Sequence, residues 1–181
     1  YFVKKYKIKI DLNENKEIKT ACQDEVKRCI NKKDIECAKK IMDFAEEYGI
    51  KIDLNENEEI KTACQKRAEG CINGGDILGA KEIMDFVKKY GIKIDLSEIE
   101  TACIGRVKEC IDKGDVEGAE KIMDFAKKYK IKIDLKTNEE IKTACINKVK
   151  EYIVYTLFEW SVKKIMDFAE KYGIKIDLNE N

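Results

Sequence analysis

Ile83-Met84-Asp85-Phe86-Val87-Lys88-Lys89-Tyr90-Gly91-Ile92-Lys93-Ile94-Asp95-Leu96 recurs in close copies from one end of the chain to the other. Its opening, Ile-Met-Asp-Phe, begins at Ile41, Ile83, Ile122 and Ile165, at spacings of 42, 39 and 43 residues. Its close, Ile-Lys-Ile-Asp-Leu, begins at Ile8, Ile50, Ile92, Ile131 and Ile174. A period of about 40 residues belongs to stacked helical-repeat architectures, in which each unit buries its apolar face only against its neighbours. The expectation is an all-α, right-handed α-solenoid of four αα-hairpin repeats in a single domain spanning residues 1–181. Residues 1–15 form a half-repeat, followed by repeats at 16–57, 58–96, 97–138 and 139–181.

Within the second repeat, Ile60, Ala63, Cys64, Ala68, Cys71 and Ile72 fall on one face of a first helix, helix A. The turn Asn73-Gly74-Gly75-Asp76 follows, and Asp76, like Asp34 and Asp115, is suited to cap the second helix, helix B. Helix B buries Ile77, Ala80, Ile83, Met84, Val87 and Tyr90 and stops at Gly91; Lys130 replaces that glycine in the third repeat. The alternating Ile-Lys-Ile-Asp-Leu segment has the period of a β-strand. Helices stack about 10 Å apart, however, whereas ladder strands lie about 4.8 Å apart, so these segments are expected to be extended connectors. The third repeat is three residues shorter here, and Asp95/Glu98 and Ser97/Glu100 offer capping-box pairs for its first helix.

Gly75-Asp76 followed by Ala80, Met84 and Val87, with Cys64, Ala68 and Cys71 on helix A, resembles the tetratricopeptide (TPR) pattern. Lys89-Tyr90-Gly91-Ile92-Lys93-Ile94-Asp95 resembles the end of a pentatricopeptide (PPR) repeat. The period is longer than either family's and no Pro closes any repeat. The resemblance therefore implies αα-hairpins and an inner groove on the A helices, and no base-reading code.

Charged residues make up 40% of the chain, with 36 basic against 36 acidic, so no net field attracts phosphate backbones or anionic lipid. That balance argues against nucleic acid and leaves PPR-like RNA binding as an outlying alternative. No apolar run reaches the roughly 20 residues of a membrane span, and no leader is evident, so a soluble chain is expected. Lys/Glu enrichment with few Gln fits a thermophile or an AT-rich genome equally.

With no His, two Ser and no phosphate loop, no catalytic set or cofactor site is expected. Asp43, Asp85, Asp124 and Asp167 recur on the face opposite the core and are expected in solvent, paired i,i+4 with lysines such as Lys89, Lys128 and Lys171. The eight cysteines include Cys22/Cys29, Cys64/Cys71 and Cys103/Cys110, then Cys145 with Tyr152 in place of a thiol; Cys37 is extra. The spacing disfavours zinc. Two readings stay open: a ladder of bridges Cys29–Cys64, Cys71–Cys103 and Cys110–Cys145, or a core column of small hydrophobes. Free thiols would suit the cytoplasm; paired ones an oxidising compartment or a hyperthermophile's interior.

The TPR resemblance implies groove columns Thr20/Thr62/Thr101/Thr143, Gln23/Gln65/Ile104/Ile146, Lys27/Glu69/Lys108/Lys150 and Ile30/Ile72/Ile111/Ile153. If the Ile column is exposed, it offers an apolar stripe to a peptide or helix; the alternative is that it packs on the neighbouring repeat. The expected function is a non-enzymatic protein–protein interaction module. Tyr152, Tyr155, Leu157, Phe158 and Trp160 break the fourth repeat's turn and are candidates for an interface, with a homo-oligomer as one outcome and an internal cap as the other. Residues 2–15 closely repeat residues 168–181, so plain head-to-tail stacking sets two segments in competition.

Overall fold

A computed structural model describes residues 15–155 and 159–178. Among them the chain forms eight α-helices in sequential antiparallel pairs, four αα-hairpins in all. Hairpin 1 joins α1 (Lys16–Asn31) to α2 (Ile35–Glu47), and hairpin 2 joins α3 (Glu58–Asn73) to α4 (Ile77–Lys89). Hairpin 3 joins α5 (Ser97–Asp112) to α6 (Val116–Lys128), and hairpin 4 joins α7 (Glu139–Tyr155) to α8 (Glu159–Lys171). Contacts gather in two compact units, Tyr1–Arg67 with Glu82–Ile94, and Ala68–Lys81 with Asp95–Asn181.

The turns inside hairpins 1 to 3 share one construction. The residue before the capping Asp takes a left-handed backbone: Lys33 at φ 67°, Gly75 at 76° and Gly114 at 74°. The Asp N–H then bonds back to the carbonyl of Cys29, Cys71 or Cys110 at 2.8–2.9 Å, which satisfies a carbonyl at the end of helix A. The Asp carboxylate accepts the N–H of Cys37, Gly79 or Gly118 at 2.9 Å and so caps helix B. In hairpin 4 the first helix runs on to Tyr155, and the sequence places neither Gly nor Asp between it and α8.

Helix B ends by the same logic. Gly49, Gly91 and Gly173 are left-handed, and Lys130 adopts that geometry too, at φ 58°, with the Ile131 N–H reaching the Ala126 carbonyl at 2.9 Å. A side chain in that region costs about 1–2 kcal/mol, offset in part by the entropy a glycine brings to the unfolded chain. Lys130→Gly should therefore stabilise the protein by about 0.5–1 kcal/mol, read as a rise of about 1–4 °C in thermal midpoint. No rise, or a fall, would show that Lys130 is not strained.

No strand occurs among the described residues, and the connectors are extended as expected. The first two are tied by a side chain: Asn55 donates to the Gly91 carbonyl at 2.9 Å and accepts the Lys93 N–H at 2.7 Å. The second connector is three residues shorter after the Leu, and the short 3-10 turn that opens at Leu54 (Leu54–Glu56) has no counterpart at Leu96. Without that turn, α5 starts abruptly. Neither expected capping box forms its N-terminus: the N-cap is Leu96, with no side-chain bond. The Asp95 carboxylate accepts the Ser97 N–H at 2.9 Å instead, which holds its pKa below the usual carboxylate value.

Candidate functional site

The structure divides the expected helix-A groove into what is reachable and what is not. Thr20, Thr62, Thr101 and Thr143 are exposed, and Gln23, Gln65, Ile104, Lys27, Glu69, Lys108 and Lys150 are half-buried. Ile146 is buried at 7% exposure. Ile30, Ile72 and Ile111 are at 0%, while Ile153 is 47% exposed. The exposed apolar stripe is therefore corrected: three of its four members are core. For Ile111 the reason is visible, since α5 packs against both α6 and α7. Apart from half-buried Ile104 and exposed Ile153, what remains open on this face is polar, and partly occupied. Gln23 donates to the Asp53 carbonyl at 3.1 Å, Lys27 pairs with Glu59, and Lys108 pairs with Asp112 at 2.7 Å.

A different surface combines apolar floor with open access. In hairpin 3, Met123 and Ala126 of α6, Ile131 and Ile133 of the connector, and Tyr172 at the end of α8 line a cleft of about 640 Å³. Glu100, Asp124 and Asp134 supply acid at its rim, and Lys127, Lys132 and Lys171 supply base. Hairpin 1 builds the same cleft from the equivalent residues Met42, Ala45, Ile50, Ile52 and Tyr90, with a volume of about 320 Å³. The physical cause is the Ile-x-Ile alternation. Ile50 and Ile52, like Ile131 and Ile133, stand two residues apart and so share one side of the extended connector, the first of each pair buried and the second half-buried. Sequence reasoning missed this site. The alternation was visible, but the Tyr that closes the cleft lies 38 residues after Ile52 and 39 after Ile133.

The recurring Asp column is exposed throughout. Lys89 reaches across to Asp43 of the preceding hairpin at 3.3 Å, and Lys171 likewise reaches Glu120, which is outside that column, at 2.6 Å. Both pairs lie between solvated side chains, where such contacts contribute little to stability.

The cysteines also depart from the ladder. Cys29 is bridged to Cys37, on the next helix across the turn, with Cα atoms 5.8 Å apart. Cys22, Cys64, Cys71, Cys103, Cys110 and Cys145 are buried free thiols, so Cys29–Cys64, Cys71–Cys103 and Cys110–Cys145 are not formed. The core-column reading describes these six. Burial pushes Cys64 and Cys103 up to about 12 and Cys145 up to about 11. The signal for the observed bridge was present: Cys37 stands where Gly79 and Gly118 stand in hairpins 2 and 3. A Cβ at either glycine would lie 3.0 Å from the Sγ of Cys71 or Cys110. Glu25 lies beside the bridge, its carboxyl lowered by its bond to Arg28. Glu25, Cys29 and Cys37 form a group whose ligand atoms lie within 4.8 Å, and metal binding there would require both thiols to be reduced first.

Of the fourth-repeat aromatics, Tyr152 is half-buried, its hydroxyl against Gly114. Tyr155 is 80% exposed and Trp160 67%. Leu157 and Phe158 lie outside the described residues. No helix among the described residues is long and apolar enough to cross a membrane. Comparison with known proteins finds no matching family model, no similar curated protein and no similar solved structure.

Proposed function

We propose that the chain is a non-enzymatic interaction module of TPR-like αα-hairpins, and that it holds short extended segments of a partner protein in the clefts beside its connectors. The observation that carries this reading is the repetition of one cleft, Met-Ala-Ile-Ile floored and Tyr-closed, in hairpins 1 and 3. Each floor suits one aliphatic or thioether side chain of a bound peptide. The mixed charges around the hairpin 3 cleft suit flanking residues of either sign. The seat differs from the helix-A groove that the TPR resemblance implies, because Ile30, Ile72 and Ile111 are not available to a ligand.

Selection of a random peptide display library on the chain tests this directly. Selected peptides should carry a large apolar residue and should bind Ile133→Glu at least about tenfold more weakly, a change of about 1.4 kcal/mol. Lys113→Glu, on an exposed turn distant in sequence from the cleft residues, should leave them unaffected. Failure to select any peptide, or indifference of the selected peptides to Ile133→Glu in a folded variant, would sink the reading. An RNA reader would instead lose affinity steeply as salt is raised.

A further inference from the structure

We infer that Glu25, Cys29 and Cys37 of hairpin 1 form a Zn²⁺ site once the Cys29–Cys37 bridge is reduced, so that one turn is closed by a disulfide under oxidising conditions and by a metal ion under reducing ones. The ligand atoms of the three residues lie within 4.8 Å of one another. The site is independent of the connector clefts.

The turn assembles a set that linear spacing does not show. Glu25 and Cys29 are four residues apart in α1 and so share one face. The left-handed Lys33 and the bond from the Asp34 N–H to the Cys29 carbonyl, at 2.9 Å, then fold the start of α2 back and bring in Cys37. Glu25 Oε1 lies 4.0 Å from Cys29 Sγ. A sulfur and an oxygen ligand on one tetrahedral Zn²⁺ stand about 3.6 Å apart, given Zn–S of about 2.3 Å and Zn–O of about 2.1 Å. Two thiolates on the same ion stand about 3.8 Å apart, so the sulfurs must part by roughly 1.7 Å from a bond of about 2.05 Å. Rotation of the half-buried Cys37 side chain supplies that movement while the Cα atoms keep their 5.8 Å separation. Three protein ligands leave the fourth corner of the tetrahedron to water.

Two substitutions coincide in hairpin 1. Cys37 stands where hairpins 2 and 3 have Gly79 and Gly118, and Glu25 stands where the other hairpins have Arg67, Arg106 and Lys148. A cation at that position would repel a metal ion. Hairpins 3 and 4 form the helical ion pair in the opposite order, Arg106 with Glu109 and Lys148 with Glu151, whereas hairpin 1 pairs Glu25 with Arg28. A pair forms either way, so pairing alone does not account for an acid in the hairpin that has the second thiol. Arg28 has a part of its own. Three anionic ligands on Zn²⁺ leave one net negative charge, and the Arg28 guanidinium, bonded to the Glu25 carboxylate at 2.6 Å, offsets it.

A dithiol reductant gives the bridge two electrons and two protons and leaves as its own disulfide; Zn²⁺ then displaces the two thiol protons. A small-molecule disulfide reverses both steps. It takes the two electrons, with two protons from solvent, and leaves as two thiols while the ion is released.

Co²⁺ serves as the spectroscopic stand-in for Zn²⁺. The full chain, reduced with a water-soluble phosphine and freed of it under nitrogen, should bind one Co²⁺ with a thiolate-to-cobalt charge-transfer band in the near ultraviolet, and added Zn²⁺ should abolish the band. The oxidised chain should show none. Cys37→Gly, which copies the residue of hairpins 2 and 3, and Glu25→Gln should each weaken Co²⁺ binding at least about tenfold, the least that loss of even an outer partner commonly costs, with helical circular dichroism unchanged. Four results would overturn the inference: a reduced chain with no band, an oxidised chain with the same band, a band indifferent to Cys37→Gly, or an affinity indifferent to Glu25→Gln. The third would place the ion on other thiols, and the fourth would leave Glu25 as the partner of Arg28 alone.

Discussion

Ile111→Glu should unfold the chain under conditions in which Ile153→Glu, the same repeat position one hairpin later, leaves it folded. Ile111 is at 0% exposure between α5 and its neighbours α6 and α7; Ile153 is 47% exposed. Removing a buried isoleucine costs about 2–3 kcal/mol. The introduced carboxyl must in addition stay protonated to remain in the core. With an unfolded pKa of about 4.3, that costs about 3–4 kcal/mol more near neutral pH. The total, about 5–7 kcal/mol, approaches the whole stability of an ordinary domain.

The pH dependence has a definite sign. The introduced group has a folded-state pKa above its unfolded value, so the folded chain binds more protons and stability falls as pH rises between the two. The penalty specific to the charge is absent below about pH 4 and grows through the neutral range. Ile153→Glu should cost less than about 1 kcal/mol at either pH, as partly exposed substitutions do. Urea unfolding of both variants at low chain concentration, near pH 4 and near pH 7, measures the difference. Equal midpoints would mean that Ile111 is not enclosed.

Under denaturing, non-reducing conditions an alkylating agent should modify six cysteines, and eight only after reduction, because Cys29 and Cys37 are bridged. In the folded chain near pH 8 the same reagent should be slow. The thiolate is the reactive form, and Cys64 and Cys103, at about 12, and Cys145, at about 11, are almost wholly protonated there. Closing a loop of this size is worth about 2.5 kcal/mol in the chain-entropy account, so reduction should lower stability by about that amount and should act on hairpin 1 first. Eight modified cysteines without reductant would exclude the bridge.

The same geometry predicts a bridge that the chain does not have. A Cβ at Gly118 would lie 3.0 Å from Cys110 Sγ, about the separation that an S–S bond of about 2.05 Å sets between one Cβ and the other sulfur. The Asp115 carboxylate would have to share that corner. Asp34 already does so in hairpin 1, capping the Cys37 N–H at 2.9 Å beside the bridge. Gly118→Cys should therefore oxidise spontaneously in air, show one fewer free thiol than the native chain, and gain stability that reduction removes. A variant that keeps every thiol free would show that the turn of hairpin 3 cannot close as that of hairpin 1 does.

Sequence alone determined the four hairpins, because the information for them is local. A helical period, an Asp at each regular turn and a left-handed residue after each helix B specify helices and their ends within a few residues of one another. It also set the connectors as extended, since strand and helix spacings are incompatible. What only the tertiary structure decided is what each helical face meets. A column such as Ile30, Ile72, Ile111 and Ile153 has one position on the helical wheel and two fates, because burial depends on what packs against each helix. The bridge between Cys29 and Cys37, the cleft completed by Tyr172 and the pairing of Lys171 with Glu120 have the same origin. Each joins residues from different helices, so each exists only once backbone packing has brought them within reach.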